Sequence, residues 1–268
     1  MNDAFELLKL NIHAVTFTIF LLGLIFGSFA NVVILRLPKG ESIVVPSSHC
    51  CKCKHKINWF DNIPIISWIF LLGKCRHCSS KISIRYPIIE LLTGLVFVGI
   101  FLKLGYTWTT LEILIFSFCG IICSVIDLDH FILPDVFTLS GIVIGLLGSL
   151  LNPERDVTNA FLGLFMGGGF FWLVAYGYYL LKGEEGIGGG DIKLMAWIGA
   201  VFGWQVIPFV ILVSSISGSL VGIILMLGSG GKGLKTIIPF GPYLFFSAIL
   251  SIFIPPEVGF DYFNYFIP

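Results

Sequence analysis

The sequence is poor in charged residues. Only 12% of its 268 residues are Asp, Glu, Lys or Arg, whereas a typical soluble domain has about 25%. In contrast, 56% of the residues are hydrophobic and the mean hydropathy is +0.96. This composition excludes an ordinary soluble protein and predicts an all-α polytopic membrane protein.

The N-terminal segment lacks the features of a cleaved signal peptide. Its apolar run, residues 12–35, is too long for a signal-peptide core, and no A-x-A-like cleavage site follows it. Asp3 and Glu6 precede the run, and Arg36 and Lys39 follow it. The pattern predicts a retained membrane anchor with its N-terminus outside.

Eight apolar runs predict about eight transmembrane helices with both termini outside. The runs are 12–35, 86–104, 109–128, 134–151, 157–181, 191–204, 206–227 and 237–255. The sixth is short, so a seven-span alternative remains, in which residues 191–227 form one crossing and a re-entrant piece. We predict three parts: a first helix (1–36), a polar insert (37–85) and a membrane core (86–268).

Positive charge is unevenly distributed, although the formal net charge is zero. Nine of the sixteen Lys and Arg residues lie within residues 36–85. The positive-inside rule explains this cluster more simply than nucleic-acid binding does. We therefore expect a cytoplasmic insert, the lipid bilayer as a partner, and no nucleic acid.

The insert carries two C-x2-C knuckles, Cys50 with Cys53 and Cys75 with Cys78, separated by twenty-one residues. This spacing is typical of a four-thiolate zinc site. A segment of this size buries little apolar surface and usually needs a metal or disulfides. The reducing cytosol favours the metal, with disulfides or free thiols as alternatives. Cys51 leaves the register open, and nearby histidines are alternative ligands.

Two carboxylates stand at the ends of apolar runs. Asp127 is the first charge after the third run, and Asp191 follows the glycine-rich residues 186–190. A carboxylate at this depth must be paired, solvated or protonated. On the eight-span topology both lie at the inner membrane face, so we expect them to face each other. The alternative for Asp191 is a helix cap beside a hinge loop.

A facing pair of carboxyls has a chemical meaning. Two such groups in close contact share one proton and supply one base and one acid. Asp127 and Asp191 are therefore the candidate catalytic dyad for peptide hydrolysis, with Gly188, Gly190 and Lys193 in the active-site loop. The sequence lacks a P-loop lysine after its glycines and lacks a convincing Ser/His or Cys/His arrangement. A proton- or cation-coupled transporter and a membrane scaffold remain as alternatives.

In this order the motifs resemble the bacterial type IV prepilin peptidases, which are GxGD-type membrane aspartic proteases. The matching segments are 23–33 with 36–38, the two knuckles, 62–64, 67–68, 85–87 with Glu90, 126–135, 188–194 and 238–242. Departures from the family pattern are Cys51 and Ala30.

The resemblance implies a multi-pass protein of the bacterial inner membrane. Its substrate would be a prepilin or pseudopilin, whose leader peptide is cleaved at the cytoplasmic face. It also implies structural zinc in the insert. S-adenosylmethionine, as the methyl donor for N-methylation of the new terminus, is implied by the resemblance alone.

Overall fold

The computed structural model describes residues 2–184, 186, 188–228 and 238–254. Two compact units divide the chain, Met1–Tyr106 and Thr107–Pro268. We call them unit 1 and unit 2. The predicted division into three parts stays a prediction.

Unit 1 contains two long helices and the polar insert between them. Its helices are α1 (Asn2–Arg36), α2 (Ile66–Phe70) and α3 (Arg85–Leu104), with 3₁₀ turns at Leu37–Lys39 and Trp59–Asn62. Helix α1 packs along α3. A Cβ on Gly23 would lie 2.7 Å from Cα of Gly94, so the absence of a side chain allows this close approach.

Unit 2 is a bundle of six helices in the described residues. They are α4 (Trp108–His130), α5 (Asp135–Leu151), α6 (Val157–Lys182), α7 (Gly189–Phe202), α8 (Ile207–Gly228) and α9 (Gly241–Ser251), with a 3₁₀ turn at Trp204–Val206. Side-chain caps begin two of them: Thr107 accepts from the N–H of Thr110 before α4, and Asp156 accepts from the N–H of Thr158 before α6.

Helix α7 lies at the centre of unit 2, packed against α5, α6 and α9. Met195 and Ile198 are fully buried. A Cβ on Gly163 of α6 would collide with the carbonyl oxygen of Gly199. The backbones of α6 and α7 therefore touch directly.

The all-α class is confirmed, since the described residues form no β-strand and only two isolated bridges. Five segments are long and apolar enough to cross a membrane: Asn11–Lys39, Arg85–Leu104, Trp108–His130, Val157–Lys182 and Trp204–Leu227. Helices α5, α7 and α9 have 17, 14 and 11 residues, fewer than the roughly 20 that a crossing needs. Each predicted run contains a helix, but the count of eight spans is not confirmed. Residues 237 and 255, the ends of the eighth run, lie outside the described residues.

Candidate active site and metal centre

Asp127 lies in the last turn of α4 and is only 5% exposed to solvent. Helix α4 ends at His130, where Phe131 takes a left-handed φ of 56° and donates its N–H to the carbonyl oxygen of Asp127. The N–H of Gly241 donates to Oδ2 of the Asp127 carboxylate over 3.0 Å. Gly241 begins α9, and the first N–H groups of a helix are free to bind an anion. This hydrogen bond fixes one oxygen of Asp127.

A side chain at position 241 would crowd that contact with Asp127. A Cβ on Gly241 would lie 2.8 Å from Oδ2 of Asp127 and 3.0 Å from Cδ2 of Leu133. The resemblance of residues 238–242 to the family's motif implies a helix start here, but it does not indicate that the first N–H of this helix binds Asp127.

Asp191 lies in the first turn of α7. The residue at the cap position is Gly188, and no side-chain cap is formed. The N–H of Asp191 instead donates to the carbonyl oxygen of Gly188 over 3.0 Å. The capping alternative considered for Asp191 therefore differs from the observed geometry.

The two carboxylates come together as expected from the sequence. Asp127 lies close enough to Asp191 for their charges to interact, and Leu133 lies beside Gly190, the neighbour of Asp191, and beside Gly241, which donates to Asp127. A Cβ on Gly190 would lie 2.9 Å from Cβ of Leu133, and Leu133 also contacts Gly241. This arrangement places a half-buried and a buried carboxylate in one site. Such a pair can act as general base and general acid.

Lys193 forms an ion pair with Asp135, over 2.6 Å from Nζ to Oδ1. Asp135 begins α5, so this contact connects the start of α5 to the first turn of α7. Both side chains are partly exposed, and exposed pairs add little stability. The pair therefore contributes little to stability, and its contact joins the N-terminal parts of α5 and α7. Sequence reasoning identified both residues but not their contact, which joins positions 58 residues apart.

The four predicted cysteines form one cluster in unit 1. The Sγ atoms of Cys50, Cys53, Cys75 and Cys78 all lie within 4.8 Å of one another. Sγ of Cys50 is 3.7 Å from Sγ of Cys78, whereas two sulfurs of a zinc tetrahedron are about 3.8 Å apart, given Zn–S bonds of about 2.3 Å. All seven cysteines are described, and none forms a disulfide. The donor set fits a tetrahedral zinc ion.

The two knuckles have the same backbone geometry. In the first, the N–H of Cys50 donates to the carbonyl oxygen of His55; in the second, the N–H of Cys75 donates to that of Ser80, both over 2.9 Å. Lys54, four residues after Cys50, has a left-handed backbone conformation with a φ of 57°. Ser79, four residues after Cys75, has the same conformation with a φ of 54°. Each of these two matching turns thus contributes two sulfur atoms to the cluster.

The surroundings of the cluster lower the pKa of the Cys50 and Cys78 thiols but not that of Cys53. At Cys53, the effect of the backbone N–H of His55 is outweighed by desolvation and the neighbouring thiols, which raise the thiol pKa to about 11. The backbone N–H of Cys53 lowers the pKa of the Cys50 thiol to about 6, and metals bind the thiolate form. Cys51 is exposed and lies outside the cluster, which resolves the register in favour of Cys50. The ring centroids of His55 and His77 lie 3.5 Å apart, with the ring planes tilted by 36°, and no histidine in the described residues belongs to the cluster.

Comparisons with known proteins match both units. Residues 21–104 match the family described as bacterial peptidase A24 N-terminal domain, and residues 113–223 match the type IV leader peptidase family. A protein of Aeromonas hydrophila named prepilin leader peptidase/N-methyltransferase is 40% identical over 250 residues, covering 84% of this chain and 86% of that protein. A protein of the same name from Pseudomonas aeruginosa is 37% identical, with 84% and 85% covered. No solved structure matches the chain.

Proposed function

Because this chain belongs to the type IV leader peptidase family, we propose that it is a membrane aspartic endopeptidase that removes the leader peptide of prepilins or pseudopilins. The observation that carries this proposal is the pairing of Asp127 with Asp191 beside the N-terminus of α9. The site belongs to a multi-pass membrane protein of the inner membrane, and we place cleavage at its cytoplasmic face.

The geometry supports acid–base hydrolysis of a peptide bond. One carboxylate of the pair takes a proton from the attacking water, whose oxygen bonds to the peptide carbonyl carbon. The other carboxyl donates its proton to the carbonyl oxygen, and the leaving amine takes up a proton as the C–N bond breaks. We assign the two roles to the pair, because closely coupled carboxyls titrate together.

Substitution of each aspartate by asparagine tests this mechanism. Asp127→Asn and Asp191→Asn should each lower cleavage by at least about a thousandfold, measured by product mass after coexpression with a prepilin. Asn is nearly isosteric with Asp, so both variants should insert and accumulate like the parent. Substantial cleavage by Asp191→Asn would refute the dyad.

We further propose that Cys50, Cys53, Cys75 and Cys78 hold a structural zinc ion. Four thiolates leave no open position for a reacting water, so the metal would stabilise the insert rather than hydrolyse peptides. Protein purified without chelators should contain about one zinc per chain. Cys78→Ser should lose it, whereas Cys51→Ser should retain it. Equal metal content in these two variants would reject the assignment.

The names of the relatives support a second activity, N-methylation of the new terminal residue. S-adenosylmethionine would supply an electrophilic methyl group for that amine. Mass spectrometry of processed pilin, with and without the methyl donor, tests this part. An unmethylated product in both samples would limit the enzyme to cleavage.

The alternative functions have weaker support. The comparisons with known proteins do not support a transporter, because the chain matches two peptidase families. A scaffold would leave the paired carboxylates of unit 2 without a role.

A further inference from the structure

A cavity of about 710 Å³ lies within unit 1. Its walls come from the C-terminal end of α1, both cysteine knuckles, the segment around α2 and the first turns of α3. Pockets for small molecules and cofactors typically have about 300–1,000 Å³. The dyad residues belong to unit 2 and do not line this cavity, so peptide hydrolysis leaves it unexplained.

Two buried side chains of opposite charge line this cavity. Glu90 is 7% exposed and Arg36 is 9% exposed. Oε2 of Glu90 accepts the N–H of Ile65 over 2.7 Å, and a guanidinium N–H of Arg36 donates to the carbonyl oxygen of Ser42 over 3.0 Å. Buried charges are costly unless they are paired or bind a ligand. Here a backbone group holds each of them in place, and Glu90 also forms a hydrogen bond with the side chain of Ser28.

Neutral groups complete the polar lining. Asn31, 5% exposed, donates to the carbonyl oxygen of Tyr86 over 3.2 Å. Half-buried Trp68 and Tyr86 also line the cavity, and aromatic side chains of this kind stack well on a purine base. The cavity thus offers both charges and planar apolar surface.

We propose that this cavity binds the methyl donor S-adenosylmethionine, with Arg36 and Glu90 as the binding residues for its amino-acid end. This inference rests on the proposed methyltransferase activity and gives it a site. Arg36 suits the ligand's carboxylate, and Glu90 suits its ammonium group. Trp68 and Tyr86 suit the adenine.

The charge distribution argues against an anionic lipid headgroup as the occupant. The lysines that line the cavity, among them Lys39, Lys52 and Lys81, are exposed, and solvated lysines need no ligand. The buried positions carry one positive and one negative charge. A zwitterion complements that pair, whereas a phosphate would be repelled by Glu90.

The cysteine cluster contributes to the same cavity, since Cys50 and Cys75 are among its lining residues. A metal that fixes the two knuckles therefore also fixes part of the cavity wall. Loss of the metal should weaken binding of the methyl donor. The insert would thus support methylation by shaping the cavity that binds the methyl donor.

The test measures binding rather than turnover. S-adenosylhomocysteine is titrated into purified full-length protein in nanodiscs of neutral lipid, followed by isothermal calorimetry. Glu90→Gln and Arg36→Gln should each raise the dissociation constant by about tenfold or more, because each removes a charge-assisted contact. Glu90→Gln keeps an acceptor for the N–H of Ile65. Glu154→Gln, the same change in unit 2, should bind like the parent.

A second readout locates the ligand directly. Ultraviolet labelling with methyl-tritiated S-adenosylmethionine, competed by S-adenosylhomocysteine, should place the label on peptides within residues 28–90. Zinc content reports whether each variant keeps the insert folded. Label in unit 2, or unchanged affinity in both folded variants, would overturn this site while leaving the methyltransferase intact. A parent that cleaves prepilin but binds no S-adenosylhomocysteine would overturn both the methyltransferase and this site.

Discussion

The charged side chains at the two ends of the bundle in unit 2 differ in how fully they are hydrogen-bonded. Glu112 lies near the start of α4 and Asp127 near its end, fifteen residues later, which is about 22 Å along a helix. At the Glu112 end, the charges are surrounded by partners. At the Asp127 end, the carboxylate accepts the backbone N–H of Gly241 and lies near a second carboxylate, that of Asp191.

The Glu112 end is a polar network centred on Arg155. The Arg155 side chain is 4% exposed and forms an ion pair with Glu112. It also donates to the carbonyl oxygens of Gly145 over 3.1 Å and Ala200 over 2.5 Å. Asn152 donates to Glu112 over 3.2 Å. These bonds join α4, α5 and α7 to the loop before α6.

The difference separates stability from chemistry within one bundle. Charges whose hydrogen bonds are satisfied hold helices together, whereas like charges brought close together are destabilising and available for reaction. The comparison predicts that substitutions at the Glu112 end act on folding and those at the dyad end act on cleavage.

The largest expected effect on stability is at Arg155. Arg155→Met should destabilise the protein by about 3–5 kcal/mol, because it leaves the half-buried Glu112 carboxylate without its cationic partner and with the hydrogen bond from Asn152. Thermal unfolding in detergent measures this effect, with Asp191→Asn as the matched control at the other end. The comparison fails if both variants unfold at the same temperature as the parent.

A medium effect on cleavage is expected in the glycine loop. A Cβ on Gly190 would lie 2.9 Å from Cβ of Leu133, so Gly190→Ala must displace either Leu133 or the turn that carries Asp191, and we expect the turn to move. A Cβ on Gly188 would meet nothing closer than Oδ2 of Asp191 at 3.5 Å, an ordinary contact. Gly190→Ala should lower the cleavage rate by about tenfold or more, and Gly188→Ala by less than about twofold.

Initial rates of prepilin cleavage, normalised to the amount of inserted protein, compare the two alanine variants. Equal rates would show that Leu133 yields easily and that the loop does not position Asp191. Bulkier residues at either position should impair cleavage more than insertion.

The smallest effect is expected at the ion pair of Lys193 with Asp135. Because both side chains are partly exposed, Lys193→Gln should change stability by less than about 1 kcal/mol. Cleavage should fall a few-fold, since the first turn of α7 loses one restraint. The double variant with Asp135→Asn should be no worse than either single variant. Additive losses would show that the two residues act separately.

Local patterns were enough to predict much of the fold and site. Apolar runs located every described helix between residues 86 and 254, and the C-x2-C spacing identified the four clustered cysteines. Asp127 and Asp191 stood out because a charge after a long apolar run needs an explanation.

The contacts that sequence reasoning missed join distant parts of the chain. Gly241 and Asp127 are 114 positions apart, and a glycine before a proline indicates a helix start without indicating what it binds. Glu90 was noted only as part of a motif, since its burial and its hydrogen bond to Ile65 depend on how the insert folds over α3. Lengths of apolar runs also did not reveal that α9 has only 11 residues in the described part of the chain.

The contact between Gly163 and Gly199 affects the stage at which the conformational entropy of orienting Asp191 is lost. Since the backbones of α6 and α7 touch, α7 has little room to slide or rotate, and Asp191 is oriented when the bundle assembles. The entropy of aligning this carboxylate is therefore lost once, during insertion and folding, and not again at each encounter with a substrate. What remains to be ordered at each turnover is the incoming peptide.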